Sequence, residues 1–266
     1  MSKITTALIV ELRRRTGIGL LECKKALIKA NGNIEIAIKE MRKTGKIEVA
    51  KKIKRITGEG AIFVKICKNK QHGVIIELDC ETDFVVRNKN FNDFGNKVVN
   101  VALHDRITDV NTLRKVCAEQ CSFLIRQVGE NINIRRFGIL EGDHIGFYLH
   151  NTRIGVIVSG SNISKELIKY IAMHIAASKP EYINKYDIPT EVFSREYQIQ
   201  WSIAEQSKKS DGIINKIVDG RMRKFMEGIS LIEQNFVMDQ NKKVGQLLSE
   251  HNAKINDFIR FEVGGV

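Results

Sequence analysis

Three groups of residues in this 266-residue chain have the types and spacing to do chemistry. The first is Asp83-Phe84. It follows the apolar run Gly73-Val74-Ile75-Ile76-Glu77-Leu78-Asp79-Cys80 through Glu81-Thr82, and it leads through Val85-Val86 into the polar Arg87-Asn88-Lys89-Asn90. A buried-type strand ending in a carboxylate beside a phenyl ring places both at an exposed strand-to-helix corner, where binding groups tend to sit. Residue type alone leaves a plainer alternative open, with Phe84 closing a core and Asp83 starting a turn. The second group is Cys117 and Cys121, whose i, i+4 spacing puts both thiols on one helix face. No second cluster of Cys or His accompanies them, so they read as core residues and not as half of a zinc site. The third is His174, between Met173 and Ile175 in an amphipathic run. A histidine in such company reads as a packing residue rather than a base.

Signatures of nucleotide and acyl chemistry are missing. The chain holds no Gly-x-x-x-x-Gly-Lys-Ser/Thr phosphate loop, no dinucleotide fingerprint with a ribose-binding acid at the right distance, no nucleophile elbow and no His-Glu-x-x-His helix. The expectation is a protein without catalysis, cofactor or metal of its own, which acts by binding.

The elements that must position these residues are legible in outline. Residues 5 to 45 read as three short helices, with Leu8 and Leu12 on the first, Leu20, Cys23, Leu27 and Ala30 on the second, and Ile34, Ala37, Ile38 and Met41 on the third. Gly17, Gly32 and Gly45 fall just past the helical runs, where a left-handed cap is wanted, and Asn33 is placed to cap the third helix. Between the first two helices the apolar turn Ile18-Gly19-Leu20-Leu21 reads either as a docking surface or as bundle core. Lys46 to Gly58 reads as a basic, solvated connector. From Gly60 the pattern changes to strands, Ala61 to Cys67 and then the run to Cys80, a hairpin covered by an amphipathic helix on Phe91, Phe94, Val98, Val101 and Ala102. A further helix runs from about Asn111 to Gln127.

The same grammar recurs in a hairpin of Ile145–His150 and Ile154–Val158 followed by a helix at 165–178, so Gly73-Val74-Ile75-Ile76 answers Gly155-Val156-Ile157-Val158 as an internal duplication. The second copy has Gly160-Ser161-Asn162 where the first has its Asp-Phe pair. Two helical faces, one on Phe193, Tyr197, Trp201 and Ala204 and one on Ile214, Val218, Met222 and Phe225, flank the polar Ser207-Lys208-Lys209-Ser210-Asp211-Gly212. They predict an inserted antiparallel helical hairpin whose apolar stripes pack on each other. A short helix at 244–251 and an alternating strand at 258–263 close the chain. The fold class is α+β, divided as a three-helix bundle at 1–45, a linker at 46–59, a first core subdomain at 60–139 and a second at 140–266, with the helical hairpin 190–226 inserted.

Composition narrows the class. The formal net charge is +12, but Lys and Arg are spread along the chain rather than gathered in a stripe interleaved with aromatics. A solvated basic face suffices, and no specific nucleic acid is expected. A basic ribosome- or nucleic-acid-binding protein is the competing class, and steep salt dependence is its signature. The five cysteines are odd in number and scattered, which suits reduced thiols. No apolar run approaches the ~20 residues that span a bilayer, and Met1-Ser2-Lys3-Ile4-Thr5 opens on a helical pattern with no signal-peptide core. No membrane association is expected, and the cytoplasm is the expected location.

The run Leu78-Asp79-Cys80-Glu81-Thr82-Asp83-Phe84-Val85 resembles a signature of the elongation factor Ts family, guanine-nucleotide exchange factors of the GTPase elongation factor Tu. The stretch from Leu12 through Gly17-Ile18-Gly19-Leu20-Leu21 to Leu27, continued by Asn31-Gly32-Asn33, resembles the family's opening motif. Gly129-Glu130-Asn131-Ile132-Asn133-Ile134-Arg135-Arg136, Ala172-Met173-His174-Ile175-Ala176-Ala177-Ser178-Lys179-Pro180 and Phe258-Ile259-Arg260-Phe261-Glu262-Val263 follow in the family's order, so the resemblance spans nearly the whole chain. It implies a ubiquitin-associated-like N-terminal bundle, a coiled-coil module in the inserted hairpin, and elongation factor Tu as partner, with no nucleotide bound by this chain itself. It also implies that Thr82, Asp83, Phe84 and Val85 dislodge the Mg²⁺ of the GTPase. Docking falls to Arg13, Ile18, Gly19, Leu20, Leu21 and His174. Relatives commonly continue into a short C-terminal helix that touches the GTPase. This sequence stops at Gly264-Gly265-Val266, so somewhat weaker partner binding is expected, and appending such a helix should slow dissociation.

Overall fold

The computed structural model describes residues 4–206 and 210–265. Met1-Ser2-Lys3, the Ser207-Lys208-Lys209 part of the expected separator and Val266 lie outside the described residues. The chain divides into two compact units, one of Met1–Lys65, Ile76–Phe137 and Glu262–Val266, the other of Ile66–Ile75 and Gly138–Phe261.

The first unit opens with α1 (Thr6–Thr16), α2 (Leu20–Lys29) and α3 (Ile34–Lys43), which close on a core of Leu12, Cys23, Leu27, Ala37, Ile38 and Met41. Their ends are fixed as the local sequence demands. The Thr5 hydroxyl accepts from Leu8 N, the Asn33 side chain accepts from Ile36 N, and Gly17, at φ 73°, turns its own N–H onto Arg13 O. The expected connector is helical in its first half. In α4 (Lys46–Lys52) Val49 is buried, and Ile47 and Ala50, three residues apart, share a face that packs on the bundle core, while α4 also lies against α7.

Strands β1 (Glu59–Ile66), β2 (His72–Cys80) and β3 (Asn133–Glu141) form a sheet in that order. Between β2 and β3 lie a four-residue helix α5 (Asp83–Val86), α6 (Lys89–His104) and α7 (Val110–Val128). β2 is central and buried from Gly73 to Cys80, which is why its sequence is nearly continuous apolar. The two-residue period sends Val74, Ile76, Leu78 and Cys80 to one face and Glu77 and Asp79 to the other. Helix α6 approaches the sheet closely at Gly95. A Cβ there would fall 2.3 Å from the Phe63 ring, and that ring lies 6.1 Å, centroid to centroid, from Phe91. Any larger residue at 95 would push α6 off the sheet.

The second unit repeats the plan of hairpin, helix and late third strand. β4 (His144–His150) and β5 (Ile154–Ser161) pair antiparallel with His150 opposite Ile154, and β8 (Lys254–Glu262) is the third strand, in the order β4-β5-β8. Helix α8 (Lys165–Ser178) begins at a Ser164 cap and buries Ile168, Ile171, Ala172 and Ile175 against Val156 and Val158. α9 (Thr190–Glu205) and α10 (Asp211–Ile229) close on Ala204, Ile214, Val218 and Met222. A short pair β6 (Asn235–Phe236) and β7 (Asp239–Lys243), then α11 (Val244–Glu250), lead into β8. Besides α4, two elements differ from the sequence reading. β3 extends through residues expected only as a motif, and the strand leading to Asp83 ends at Cys80, with the ring carried by α5.

Candidate functional site

The corner at the end of β2 is built from the strand outward. Strand pairing fixes the chain to Cys80, whose thiol lies against Thr82 O at 3.2 Å and is pushed up to about 12, chiefly by burial. Thr82 is extended, with φ −131° and ψ 157°, and Asp83–Val86 then make one helical turn. A turn this short presents its side chains in opposite directions. Val85 is buried and anchors α5 to the fold, while Phe84 is 79% exposed. Asp83 is exposed beside Arg87 at 2.9 Å, one turn along, a surface ion pair that stabilises by about 0–1 kcal/mol. The turn is closed from behind by Asn92, whose amide donates to Val86 O at 2.8 Å. An isolated, outward-facing phenyl ring next to a carboxylate is therefore a property of the backbone here. The alternative in which Phe84 closes a core does not hold.

Behind the corner, on the polar face of β2, lies a buried charge cluster. Glu77 is fully buried, and its carboxylate accepts from Arg136 Nε, from Arg135 Nη1 at 3.4 Å and from Gly264 N at 2.9 Å. The guanidinium groups in turn hold the last residues of the unit, Arg135 donating to Gly265 O at 2.9 Å and Arg136 to Glu262 O at 2.7 Å. Asp79, two residues along the same face, sits 4.0 Å from Arg135 Nε and has one carboxylate oxygen without a hydrogen bond. Burial, and then the Glu77 charge, push Asp79 up to about 7 against the pull of Arg135 and Arg136.

The other sequence-designated residues are placed as follows. Arg13 and Gly19 are exposed on the bundle, as are Leu20 at 45% and Leu21 at 66%. Ile18, at 6%, belongs to the core, with its carbonyl taken by the Cys23 thiol at 3.5 Å. The turn left open in sequence thus splits, with the leucines outward and the isoleucine inward. His174 is wholly buried in the second unit. Its Nδ1 faces Val237 N at 3.2 Å and its Nε2 faces Gln234 Oε1 at 2.9 Å, which places the proton on Nε2, and burial pulls its pKa down. Neither Ile18 nor His174 offers a side-chain surface to a partner. His174 instead fixes the turn that carries Val237 and Met238, both exposed.

Sequence reasoning passed over one residue at the corner. Glu130 reaches the backbone of Glu81 and Thr82, 49 and 48 residues away in the chain, a separation no local pattern signals. Among the described residues, no group of three or more His, Cys, Asp or Glu is arranged to hold a metal ion, and no helix is long and apolar enough to cross a membrane.

The family model for Elongation factor TS matches residues 81–265, from the corner to the end of the last strand and beyond. The chain belongs to the elongation factor Ts family. It is 56% identical over 264 residues to Elongation factor Ts of Sodalis glossinidius (strain morsitans), covering 99% of this chain and 93% of that protein. It is 54% identical over the same length and coverage to Elongation factor Ts of Yersinia pestis (strain Pestoides F). An elongation factor Ts acts in protein synthesis as a guanine-nucleotide exchange factor for elongation factor Tu, and it is not itself a catalyst of bond chemistry.

Proposed function

We propose that this chain drives exchange by a wedge, with Phe84 and Asp83 entering beside the Mg²⁺ site of elongation factor Tu and displacing that ion. The observation that carries the reading is the 79% exposure of Phe84 on a turn anchored by buried Val85. A GTPase holds its metal and phosphates with preorganised loops, so a small displacement of the metal's ligands forfeits several charge-assisted contacts at once. The phenyl ring supplies apolar bulk, and Asp83 accepts hydrogen bonds that otherwise serve the metal site. Thr82 and Val85 set the angle of the turn. Linkage makes the effect mutual. Whatever factor the wedge takes from nucleotide affinity, bound nucleotide takes from the affinity of the two proteins for each other.

Docking is separate from the wedge. Arg13, Gly19, Leu20 and Leu21 are all exposed on the N-terminal bundle and offer a partner two apolar side chains and a cation. Ile18 and His174 act from inside, by holding the surfaces next to them. In this reading residues 1–45 are the ubiquitin-associated-like bundle and 46–59 connect it to a duplicated core, 60–139 and 140–266. The hairpin 190–226 is the inserted coiled-coil module. The antiparallel pairing of α9 with α10 supports that last assignment, because Phe193 and Tyr197 line one groove with Met222 and Met226 while Ala204 meets Ile214 farther along. The chain binds no nucleotide itself, reads no nucleic acid, does not insert in a membrane, and works in the cytoplasm.

The experiment is release of fluorescent GDP from purified elongation factor Tu with and without this protein. Acceleration that saturates with the exchange factor and persists in moderate salt is the expected result. Release that is no faster than the unassisted rate, or an interaction that falls steeply with log[salt] as phosphate-backbone binding does, overturns it.

A further inference from the structure

We infer that Glu130 is a positioning residue for nucleotide exchange, because its carboxylate holds the backbone from which Phe84 projects. One oxygen accepts from Glu81 N at 3.1 Å and Thr82 N at 3.0 Å, and the other accepts from the Thr82 hydroxyl at 2.7 Å. These are the two residues that join β2 to α5. The tie is answered in the opposite direction. Glu81 Oε1 accepts from Asn131 N at 2.7 Å, so each of two adjacent turns gives a carboxylate to the backbone of the other. Asn131 extends the lacing to a third segment, its amide donating to Ile53 O at 3.1 Å and Arg55 O at 2.8 Å.

Two details say that this arrangement serves direction rather than helix formation. Thr82 occupies the N-cap of α5, where a threonine hydroxyl ordinarily accepts from the helix's own second or third N–H. Here it makes no such cap and donates to Glu130 instead. The local stabilisation is given up for a tertiary one. The second detail is the ring itself. An exposed phenyl group on a four-residue helix has no packing to fix its direction, and a helix of that length does not hold itself. Val85 and Asn92 hold the far side of α5, and the turn before it, which Glu130 ties, fixes the side from which the ring leaves β2. A group that has to enter a neighbouring protein in one orientation is sensitive to slack in its support, since displacement by about 1 Å at a site of action can cost on the order of a hundredfold in rate.

This inference rests on the wedge reading, and its test separates the two. Glu130→Ala, Glu130→Gln and Thr82→Val are made alone and with Phe84→Ala. Stimulated GDP release from elongation factor Tu is then measured for its plateau rate and half-saturating concentration, alongside the thermal midpoint of each variant. Glu130→Ala should lower the plateau by about tenfold or more, with half-saturation close to the parent's. Glu130→Gln keeps one oxygen for the Thr82 hydroxyl and should recover part of the plateau. In the Phe84→Ala background the Glu130 variants should slow release by much less than they slow the parent, because only Asp83 is left to aim. A plateau untouched by Glu130→Gln and Thr82→Val while Phe84→Ala slows release overturns the positioning role and leaves the wedge standing. So does a Glu130 loss that multiplies with that of Phe84→Ala. A Phe84→Ala variant at the parent rate removes the ground for both. Should Glu130→Ala fail to fold, the isosteric Glu130→Gln and Thr82→Val decide the matter.

Discussion

Replacing Phe84 with alanine tests the wedge where its energetics are simplest. The ring is four-fifths exposed in the free protein, so its removal takes little from the fold, and the thermal midpoint should move by less than about 2 °C. What it loses is the surface available to bury in the partner. Complete burial of a phenylalanine side chain stabilises by about 2.5 kcal/mol, and four-fifths of that is about 2 kcal/mol. If that burial is realised only as GDP leaves, the barrier to stimulated release rises by the same amount, and the plateau rate falls by about 30-fold. With docking through Leu20 and Leu21 as proposed, the half-saturating concentration should barely change. The assay is fluorescent-GDP release across a titration of the exchange factor, and Phe84→Leu, which restores part of the apolar area, should recover part of the rate. The opposite division refutes the reasoning. A variant with an unchanged plateau and a half-saturating concentration raised about 30-fold would make Phe84 an anchor that binds both states alike.

Three further outcomes follow from the geometry. Leu21→Ser, on an exposed leucine, should raise the half-saturating concentration while sparing both plateau rate and thermal midpoint; a lost plateau would move Leu21 out of docking. Asp79 is protonated in the fold up to about pH 7, whereas in the unfolded chain it loses its proton near ~4. The stability linked to it is therefore fully present below ~4, declines as pH rises from there, and is lost once pH has passed about 7. Asp79→Asn should match the parent in urea unfolding at low pH and exceed it by on the order of 4 kcal/mol at pH 8; a constant difference across that range would refute the assignment. His174→Ala leaves Gln234 Oε1 and Val237 N without their buried partner and should cost about 3 kcal/mol, read as a lowered unfolding midpoint.

The strands were legible where burial is simplest. β2 is covered on both faces, so its apolar run is nearly unbroken, and the β4–β5 hairpin announces itself by the polar Asn151-Thr152-Arg153 between two apolar runs. Helix α8 runs from the residue after a Ser cap to Ser178, as its periodicity indicates. Three features were hidden for identifiable reasons. The lysines of α4 conceal an apolar side of only Ile47, Val49 and Ala50. β3 spends Arg135 and Arg136 on the Glu77 cluster and so lacks clean alternation. α5 is a single turn, shorter than any period that could reveal it. At the site the sequence put ring and carboxylate together, while the exposure of Phe84 and the support from Glu130 depend on contacts made across the fold.

Helix α4 changes what kind of tool the first unit is. Because it lies against both α3 and α7, the N-terminal bundle and the corner that carries Phe84 belong to one compact unit rather than to two parts on a solvated tether. In the proposed docking, a bundle that has seated leaves Phe84 no large volume to search. Much of the entropy of the second encounter is then lost with the first, as it is when two binding groups share a rigid frame of matching span.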